Sequence, residues 1–225
     1  MCGRYTHLFT WEELHRLCTL TAPPITLPRS YNVAPTQSAP VVRLIEGGGR
    51  GAGLFRWGLV PFWAEDPKIG SALINARAET VADKPAFRAA FKARRCLVPV
   101  SGFYEWKKMG AHKQPYYIRA AADEPLLLAG LWESWRPRPA EDAAHAAPLE
   151  TYTIITTTPN ELLATLHDRM PVIIAPEDQP RWLEGTHYDA QSLLKPSPAE
   201  LLMCHPVSTR VNSPRNNEAA CIEPV

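Results

Sequence analysis

The second residue of the chain, Cys2, could do chemistry that no internal cysteine can do. A small residue behind the initiator methionine normally allows that methionine to be removed, so we expect the mature chain to begin at Cys2. Its α-amine would then have a pKa near 7.7–8.0 and its thiol one near 8.5, whereas a lysine amine lies at about 10.4. A neutral amine condenses with an aldehyde to a Schiff base, and the adjacent thiol then closes a five-membered thiazolidine. A small second residue also arises by chance, so Cys2 alone is weak support.

A glutamate between aromatic residues is the next candidate. Glu105 lies in the segment Gly102-Phe-Tyr-Glu-Trp106, and strand alternation would place it on the same face as Phe103. Partial burial there would raise the pKa of its carboxyl group and suit it to general acid–base catalysis. The alternative is an edge-strand glutamate that pairs with Lys107 or an arginine.

One histidine stands at a position that is common in active sites. His167 ends a predicted helix just before a predicted strand, in the segment Leu166-His-Asp-Arg-Met-Pro171. The alternative, a histidine that caps the helix C-terminus, is equally compatible with this pattern.

Other catalytic and metal-binding patterns are missing from the sequence. It has no G-x-S-x-G, no H-E-x-x-H and no C-x-x-C, and the glycine-rich stretch 47–53 is not followed by Lys-Ser/Thr. The seven histidines are scattered, and the adjacent pair Cys204-His205 is a poor ligand set. We therefore predict no metal and no cofactor. The odd count of five widely spaced cysteines disfavours a disulfide scaffold and fits a reducing cytosol.

The two halves of the chain differ in charge. Residues 1–118 carry 16 Lys and Arg against 8 Asp and Glu, whereas residues 119–225 carry 8 against 15. Such asymmetry predicts a basic surface for an anion such as nucleic acid, unless folding mixes the halves. The beginning of the chain contains acidic residues and no apolar run, and no 18-residue apolar stretch occurs, so we expect neither a signal peptide nor a membrane span.

Many short elements must position these groups, because the 23 prolines in 225 residues are about twice the usual share of roughly 5%. A capping box at Thr10-Trp-Glu-Glu13 predicts a helix at 11–20, and five prolines make 21–40 extended or looped. Periodicity predicts further helices at 85–94, 159–166 and 177–184, and the first of them starts at Pro85. It predicts strands at 41–45, 54–57, 96–100, 102–107, 115–119, 126–132, 151–157, 172–174 and 206–208, and a surface loop at 137–150. This pattern favours an α+β fold with a strongly curved, barrel-like, mostly antiparallel sheet flanked by short helices, and one domain over 1–225.

Eight short motifs in order give the chain a close resemblance to a known family. They are Met1-Cys-Gly-Arg-Tyr5, Tyr31-Asn-Val-Ala-Pro35, Phe55-Arg-Trp-Gly58, Ile74-Asn-Ala-Arg-Ala-Glu-Thr80, Gly102-Phe-Tyr-Glu-Trp-Lys107, Leu131-Trp132, Leu166-His-Asp-Arg-Met-Pro171 and His205-Pro-Val-Ser208. Together they resemble the SRAP family, the SOS-response-associated peptidases that process abasic sites. Residues 61–72 and 137–150 follow the family pattern only loosely.

The resemblance implies a function and a set of catalytic residues. Family members bind single-stranded DNA with an abasic site and cross-link to it through the N-terminal cysteine, which shields the lesion as a thiazolidine. The resemblance assigns the nucleophile to Cys2 and the positioning of its terminus to Asn75. Glu105 would act as the acid–base group, and His167 would stabilise or protonate the sugar oxygen and assist lyase chemistry.

The resemblance also implies DNA contacts. Arg4, Arg77 and Arg169 would bind phosphates, because a guanidinium suits bidentate contact, although structural ion pairing is the alternative for each of them. Asn32, Pro35 and Trp63 would form a wedge or stacking platform beside the lesion, and a core tryptophan is the rival interpretation of Trp63.

Two other function classes remain open. The same residues could remove Met1 autocatalytically or act as a thiol peptidase with Cys2 as the N-terminal nucleophile. Alternatively, the basic half could mark a non-catalytic nucleic-acid binder. With cross-linking as the leading hypothesis, we expect a monomer that is cytoplasmic, nucleoid-associated when bound to DNA, and without a membrane partner.

Overall fold

The computed structural model describes residues 2–137 and 147–225. In these two ranges, short strands and short helices alternate along the chain. The strands are β1 (Tyr5–His7), β2 (Ser30–Val33), β3 (Ser38–Leu44), β4 (Arg50–Trp57), β5 (Asn75–Arg77), β6 (Arg95–Val100), β7 (Gly102–Met109), β8 (His112–Ala120), β9 (Leu126–Trp135), β10 (Leu149–Thr157), β11 (Met170–Pro171) and β12 (Leu202–Pro206). The α-helices are α1 (Trp11–Cys18), α2 (Arg88–Ala93), α3 (Glu161–Ala164), α4 (Gln179–Leu183) and α5 (His187–Ser192). Every helix in these ranges is too short or too polar to span a bilayer.

Five strands close into a barrel. Strand β9 pairs with β10, β10 with β4, β4 with β3, β3 with β6, and β6 returns to β9. Only the β10–β4 contact in this ring is parallel. Strands β5 and β11 add to β10, the first parallel to it and the second antiparallel. The predicted α+β class with a barrel-like, mostly antiparallel sheet is confirmed.

A second, wholly antiparallel sheet packs against the barrel in the strand order β12-β8-β7-β1-β2. Tyr5, Phe103 and Ile118 from one of its faces share a core with barrel residues such as Trp57 and Tyr152. The opposite face contributes a separate apolar cluster, which includes C-terminal residues. The helices cover a different core on the other face of the barrel strands, where α1, α2, α4 and α5 bury their apolar residues.

The tight contact between β7 and β8 requires a glycine where β7 begins. A Cβ atom on Gly102 would lie 2.5 Å from the Tyr117 ring and 2.6 Å from the Ile118 carbonyl oxygen. This glycine therefore lets the strand that carries Glu105 lie close to its neighbour.

Most predicted elements are confirmed with shifted ends. Thr10 and Glu13 form the predicted capping box of α1. The strands around the glycine-rich turn are longer than predicted, because β3 and β4 pair over seven residues. The predicted helix at 85–94 begins only at Arg88, since a turn from Lys84 to Phe87 precedes it. The helix predicted at 159–166 is shorter, over Glu161–Ala164, with Asn160 as its cap. The segment 177–184 starts as a 3₁₀ turn and continues as α4.

Three predicted segments need correction. The strand predicted at 172–174 is wrong: the paired residues are Met170–Pro171, and Ile173 makes a single bridge to Leu128. The late strand lies at Leu202–Pro206, before the predicted 206–208, because its pairing with β8 ends at Pro206. In the predicted loop 137–150, residues 138–146 lie outside the described residues, while 149 and 150 already belong to β10. Short strands such as β1 and β5 carry too few residues for a periodic signal.

Candidate active site

Sheet pairing brings the N-terminal segment beside the strand of Glu105. Strand β1 pairs with β7, with Tyr5 opposite Phe103, and the Tyr104 amide donates to the Arg4 carbonyl oxygen over 3.0 Å. Cys2, just before this strand, is fully buried. The predicted nucleophile therefore lies next to the predicted acid–base strand.

A side-chain amide fixes the backbone of Cys2. Asn75 Nδ2 donates a hydrogen bond to the Cys2 carbonyl oxygen over 2.9 Å. The other amide atom, Asn75 Oδ1, is buried and accepts no hydrogen bond within the described part of the chain. Parallel pairing of β5 with β10 sets this residue in register, opposite Ile154. The contact is the one that a positioning role for Asn75 requires.

Aromatic side chains form the wall of the core next to Cys2. Tyr5 and Tyr152 join their hydroxyl groups in a short hydrogen bond, and the Tyr5 ring lies 5.0 Å from the Trp57 ring. Trp57 Nε1 in turn donates to the Ile74 carbonyl oxygen over 2.9 Å, which ties the wall to the residue before Asn75. These fully buried rings keep water away from Cys2 on that side.

Burial strongly raises the pKa of the Cys2 thiol, and the negative charge of Glu105 raises it further. The positive chain terminus and the Arg4 backbone N–H act in the opposite direction but do not reverse the shift. At neutral pH the Cys2 sulfur is therefore a thiol and not a thiolate. This effect of Glu105 on the Cys2 pKa indicates that its carboxylate lies near the Cys2 sulfur.

A cavity of about 450 Å³ opens beside these groups. The side chains around it come from β5, β7, β8 and the segment after α3, and most of them are charged. They are Arg77, Glu105, Trp106, Lys113, His167, Asp168 and Arg169. The structure thus brings Glu105, His167, Arg77 and Arg169 from distant parts of the chain to one cavity.

Glu105 is the buried carboxylate of this cavity, with 1% of its surface exposed. Burial raises its pKa to about 7, and the negative charge of Asp168 contributes to the rise. The positively charged N-terminus and the Trp106 backbone N–H lower the pKa of Glu105 and offset part of this rise. A carboxyl group with this pKa is partly protonated and partly ionised at neutral pH, so it can both accept and donate a proton. Strand β7 lies between β8 and β1, so Glu105 is not the edge-strand glutamate of the alternative interpretation.

His167 makes two contacts through one ring nitrogen. Its Nδ1 lies 2.7 Å from Asp168 Oδ1 and 3.1 Å from the Arg169 backbone nitrogen. Burial lowers the pKa of His167, the chain terminus and Lys113 lower it further, and Asp168 opposes them. The neutral imidazole therefore predominates at neutral pH.

The two arginines at the cavity differ in the contacts that their side chains already make within the protein. The Arg77 side chain is exposed and forms no hydrogen bond or ion pair with the described residues. Arg169 binds both Glu79 oxygens, with Nη1 and Nη2 at 2.6 and 2.9 Å, and also the Thr156 carbonyl oxygen. This bidentate pair lowers the pKa of Glu79. The geometry suits Arg77 to an added phosphate and favours the structural alternative for Arg169.

Arg4 and Asn32 lie apart from the cavity and hold the C-terminal segment. Arg4 donates to Asn32 Oδ1 over 2.9 Å, to the Val211 carbonyl oxygen over 2.8 Å and to the Asn212 carbonyl oxygen over 3.1 Å. The buried Asn32 amide donates to three carbonyl oxygens of the same segment, those of Val211, Ser213 and Asn216. These contacts engage the groups that phosphate or DNA binding would need, so they favour a structural role.

Pro35 and Trp63 are also outside the cavity lining. Pro35 is partly exposed in the turn between β2 and β3. Trp63 is 42% exposed, and its Nε1 donates to the Pro85 carbonyl oxygen over a long 3.4 Å. The exposed indole is incompatible with the core-tryptophan alternative. Their DNA contacts remain predictions.

Sequence reasoning missed three residues of the cavity. Trp106 and Asp168 directly follow Glu105 and His167 in the sequence motifs, so their position could have predicted that they line the cavity. Lys113 follows the β7–β8 turn, and only the pairing of these strands brings it back to the cavity. Within the described ranges, no three His, Cys, Asp or Glu side chains converge to hold a metal ion.

Comparison with known proteins gives a family for this arrangement. Residues 1–214 match the family described as SOS response associated peptidase, SRAP. The chain belongs to the SRAP family. It is 40% identical to the abasic site processing protein YoqW of Bacillus subtilis, with 99% of each chain covered. It is 32% identical to the abasic site processing protein HMCES of Xenopus tropicalis, over 86% of this chain and 65% of that protein.

Solved structures support the SRAP fold. A crystal structure of a protein from Bacteroides thetaiotaomicron superposes with a TM-score of 0.88 at 26% identity and covers 100% of both chains. A second, from Bordetella bronchiseptica, has a TM-score of 0.78 at 26% identity and covers 92% of this chain.

Proposed function

We propose that this SRAP protein processes abasic sites in single-stranded DNA by forming a covalent thiazolidine cross-link through Cys2. The observation that carries the proposal is the contact of Asn75 with the Cys2 carbonyl beside a buried carboxylate, Glu105, whose pKa is about 7. The names of the relatives, abasic site processing proteins, point to the same lesion. A ring-opened abasic sugar presents the aldehyde that an N-terminal cysteine traps.

The first step is the condensation of an amine with this aldehyde. In the mature chain that we expect after loss of Met1, the α-amine belongs to Cys2. The buried Asn75 Oδ1, which has no partner among the described residues, supplies an acceptor for one N–H of this amine. Met1 itself lies outside the described residues. The amine nitrogen forms a bond to the aldehyde carbon, and the aldehyde oxygen leaves as water to give the Schiff base.

Glu105 can serve the proton transfers of this condensation. The sugar hydroxyl must lose a proton when the ring opens, and the carbinolamine oxygen must gain one before water leaves. A carboxyl group with a pKa of about 7 accepts the first proton and returns the second. The neutral His167 at the same cavity can donate to the sugar oxygen and stabilise the opened form.

The thiol acts second. The Cys2 sulfur adds to the imine carbon, a carbon–sulfur bond forms, and the thiol proton moves to the nitrogen to complete the thiazolidine. Burial and Glu105 keep this sulfur protonated at neutral pH, so the imine nitrogen takes up the proton as the carbon–sulfur bond forms. The family description also names a peptidase function, which intact mass spectrometry separates from cross-linking. Lyase chemistry assisted by His167 would be a side path from the same Schiff base.

Charge and shape support a DNA ligand at the cavity. Arg77 and Lys113 are exposed cations on its rim, and Trp106 offers an aromatic surface. Phosphates bind such cations without regard to base sequence, and a base can stack on an aromatic ring. An abasic site in a single strand has no opposing base to block access, so we propose the single strand as the substrate.

Intact mass spectrometry tests the proposed function. The protein is mixed with a single-stranded oligonucleotide that has one abasic site, made by uracil removal, and with the same oligonucleotide without uracil removal. We expect the first to add its mass minus one water to a protein that starts at Cys2, and the second to add nothing. A mass equal to the free protein, or cleavage of a peptide substrate in place of an adduct, would contradict the proposal.

A further inference from the structure

A second cavity lies far from the candidate active site. It has a volume of about 390 Å³, and the segment after β8, the segment after β11 and the start of β12 line it. Lys113 of the active-site cavity and Ala120 of this groove stand seven residues apart on β8. A strand rises about 3.3 Å per residue, so the two sites are separated by roughly 23 Å along the strand.

The groove has an apolar floor. Its apolar surface includes Leu126, Ile173 and Leu201, and Leu201 is 52% exposed. Large aliphatic side chains gathered at one exposed concave place mark interaction sites more often than single exposed ones do.

Three carboxylates stand around this floor, and none of the described residues that line it is basic. Glu124, Glu177 and Glu200 are exposed and form no ion pair with any described residue. Ser197 adds a buried hydroxyl group that makes no hydrogen bond within the described ranges. These groups would repel the phosphates of DNA and attract a cationic ligand.

We propose that this acidic groove, lined by Leu126, Ile173 and Leu201 and rimmed by Glu124, Glu177 and Glu200, docks a basic amphipathic peptide segment of a protein partner. Apolar side chains of the segment would enter the groove, while flanking lysine or arginine residues would pair with the rim. Charge complementarity selects this occupant over nucleic acid. The distance from the active-site cavity lets the partner bind while the protein holds DNA.

Fluorescence anisotropy with a defined probe tests the proposal. The probe is a labelled peptide, Lys-Lys-Leu-Trp-Leu-Lys-Lys, measured beside two control peptides. One control replaces the apolar residues by Ser-Gly-Ser, and the other replaces every lysine by glutamate. We expect saturable binding of the probe with a Kd below about 1 mM and at least tenfold weaker binding of both controls. Equal binding of the Ser-Gly-Ser peptide, or no saturation at 1 mM, overturns the proposal.

Matched variants locate the binding. The triple variant Glu124→Gln, Glu177→Gln and Glu200→Gln should weaken binding of the probe by about tenfold, since three exposed charge pairs are lost and each contributes modestly. The control triple variant, with the same change of charge at exposed sites elsewhere, should bind the probe like the parent protein. It consists of Glu46→Gln, Glu65→Gln and Glu223→Gln. Similar losses in both triple variants would reduce the effect to net charge and overturn the assignment to the groove.

A further variant distinguishes the proposed peptide from two other occupants of the groove, a second copy of the chain and DNA. Leu201→Asn should weaken the probe and leave the rate of DNA cross-linking unchanged. Sedimentation of the parent protein and of Leu201→Asn then tests a second copy of the chain as occupant. A dimer that Leu201→Asn dissociates, or competition of the probe by an unmodified single-stranded oligonucleotide, would overturn the proposal.

Discussion

Asn75 Nδ2 donates a hydrogen bond to the carbonyl oxygen of Cys2, and this bond joins strand β5 to the start of the chain. The donor belongs to a three-residue strand that is held in parallel register beside β10. The position of Cys2, the proposed nucleophile, thus depends on a strand beside the barrel, 73 residues away in sequence. The amide also presents Oδ1 as an acceptor on the same side of the site.

The first prediction concerns this bond. Asn75→Ala should slow cross-linking by about two- to tenfold, because a hydrogen bond contributes about 0.5–1.5 kcal/mol. Asn75→Asp should slow it more, since it removes the donor and sets a carboxylate against the Cys2 carbonyl oxygen. Adduct formation is followed on denaturing gels at saturating DNA. Thermal unfolding of each variant serves as the control, and an unchanged rate in both variants would contradict a positioning role.

The second prediction separates the two reactive groups of Cys2. Cys2→Ala retains an N-terminal amine but lacks the thiol, so it should form no thiazolidine. Cys2→Ser should give at most a labile imine, which borohydride converts to a stable amine. The measurement is the amount of adduct that survives denaturation with and without borohydride. A full yield of stable, unreduced adduct from Cys2→Ala would show that another residue forms the bond.

The local motifs predicted the candidate reacting groups but not the network around them. Cys2 and Glu105 could be predicted because terminal position and strand alternation are properties of short segments. The roles of Arg4 and Arg169 could not, because Arg4 contacts residues 207 and 208 positions away and Arg169 contacts Glu79, 90 positions away. An arginine beside a catalytic motif has the same local pattern whether it binds phosphate or a distant carbonyl oxygen.

Local sequence patterns did not predict the closure of the barrel either. Strand periodicity shows which face of a strand is buried, and it therefore predicted a curved sheet. It carries no information about the partner, so the parallel contact of β10 with β4 and β5 was not predicted. The position of Lys113 could not be predicted for the same reason, because only the register of β8 on β7 places it at the cavity.

The third prediction is kinetic and concerns Glu105. Glu105→Gln keeps the size of the side chain and removes its proton transfer, so the cross-linking rate should fall by about 10²–10⁴-fold. Affinity for a tetrahydrofuran abasic analogue, which cannot react, should change much less. The parent rate should also show an inflection near pH 7 from the Glu105 carboxyl group, beside the one near 7.7–8.0 from the Cys2 amine, and the variant should retain only the second. An unchanged rate, or the same inflection in both proteins, would leave Glu105 with a structural role.

The fourth prediction concerns the cost of this carboxylate to stability. The pKa of Glu105 is raised from 4.5 to about 7 in the folded chain. A group whose pKa is higher in the folded state than in the unfolded state contributes stability that is fully present below its unfolded-state pKa. This stability is lost as the pH rises through its folded-state pKa. Relative to the parent protein, Glu105→Gln should therefore gain about 3 kcal/mol of unfolding free energy between pH 4.5 and 7.

Urea unfolding of both proteins at several pH values measures this difference. Effects of all other titrating groups are shared by the two proteins and cancel in the comparison. A difference that stays constant across the window would show that Glu105 has an ordinary pKa. A difference that shrinks with rising pH would mean that the charged form is stabilised.

The last prediction contrasts Arg77, which is exposed at the cavity, with Arg4, whose guanidinium holds the C-terminal segment. Arg77 forms no hydrogen bond or ion pair with the described residues, so Arg77→Ala should leave folding stability nearly unchanged. Each phosphate contact in single-stranded DNA contributes about −0.7 to the slope of log K against log salt concentration. Arg77→Ala should thus flatten that slope by roughly 0.7 for any base sequence, measured with the tetrahydrofuran analogue.

Arg4→Ala should show the reverse behaviour. Its guanidinium donates to Asn32, Val211 and Asn212, so its loss should lower the unfolding free energy by about 1–3 kcal/mol. Its salt slope should stay close to that of the parent protein, because three of its five N–H donors are already engaged inside the fold. The decisive comparison is between the two slopes under identical conditions. If Arg4→Ala flattens the slope and Arg77→Ala does not, the DNA strand follows the C-terminal segment and not the cavity that contains Glu105.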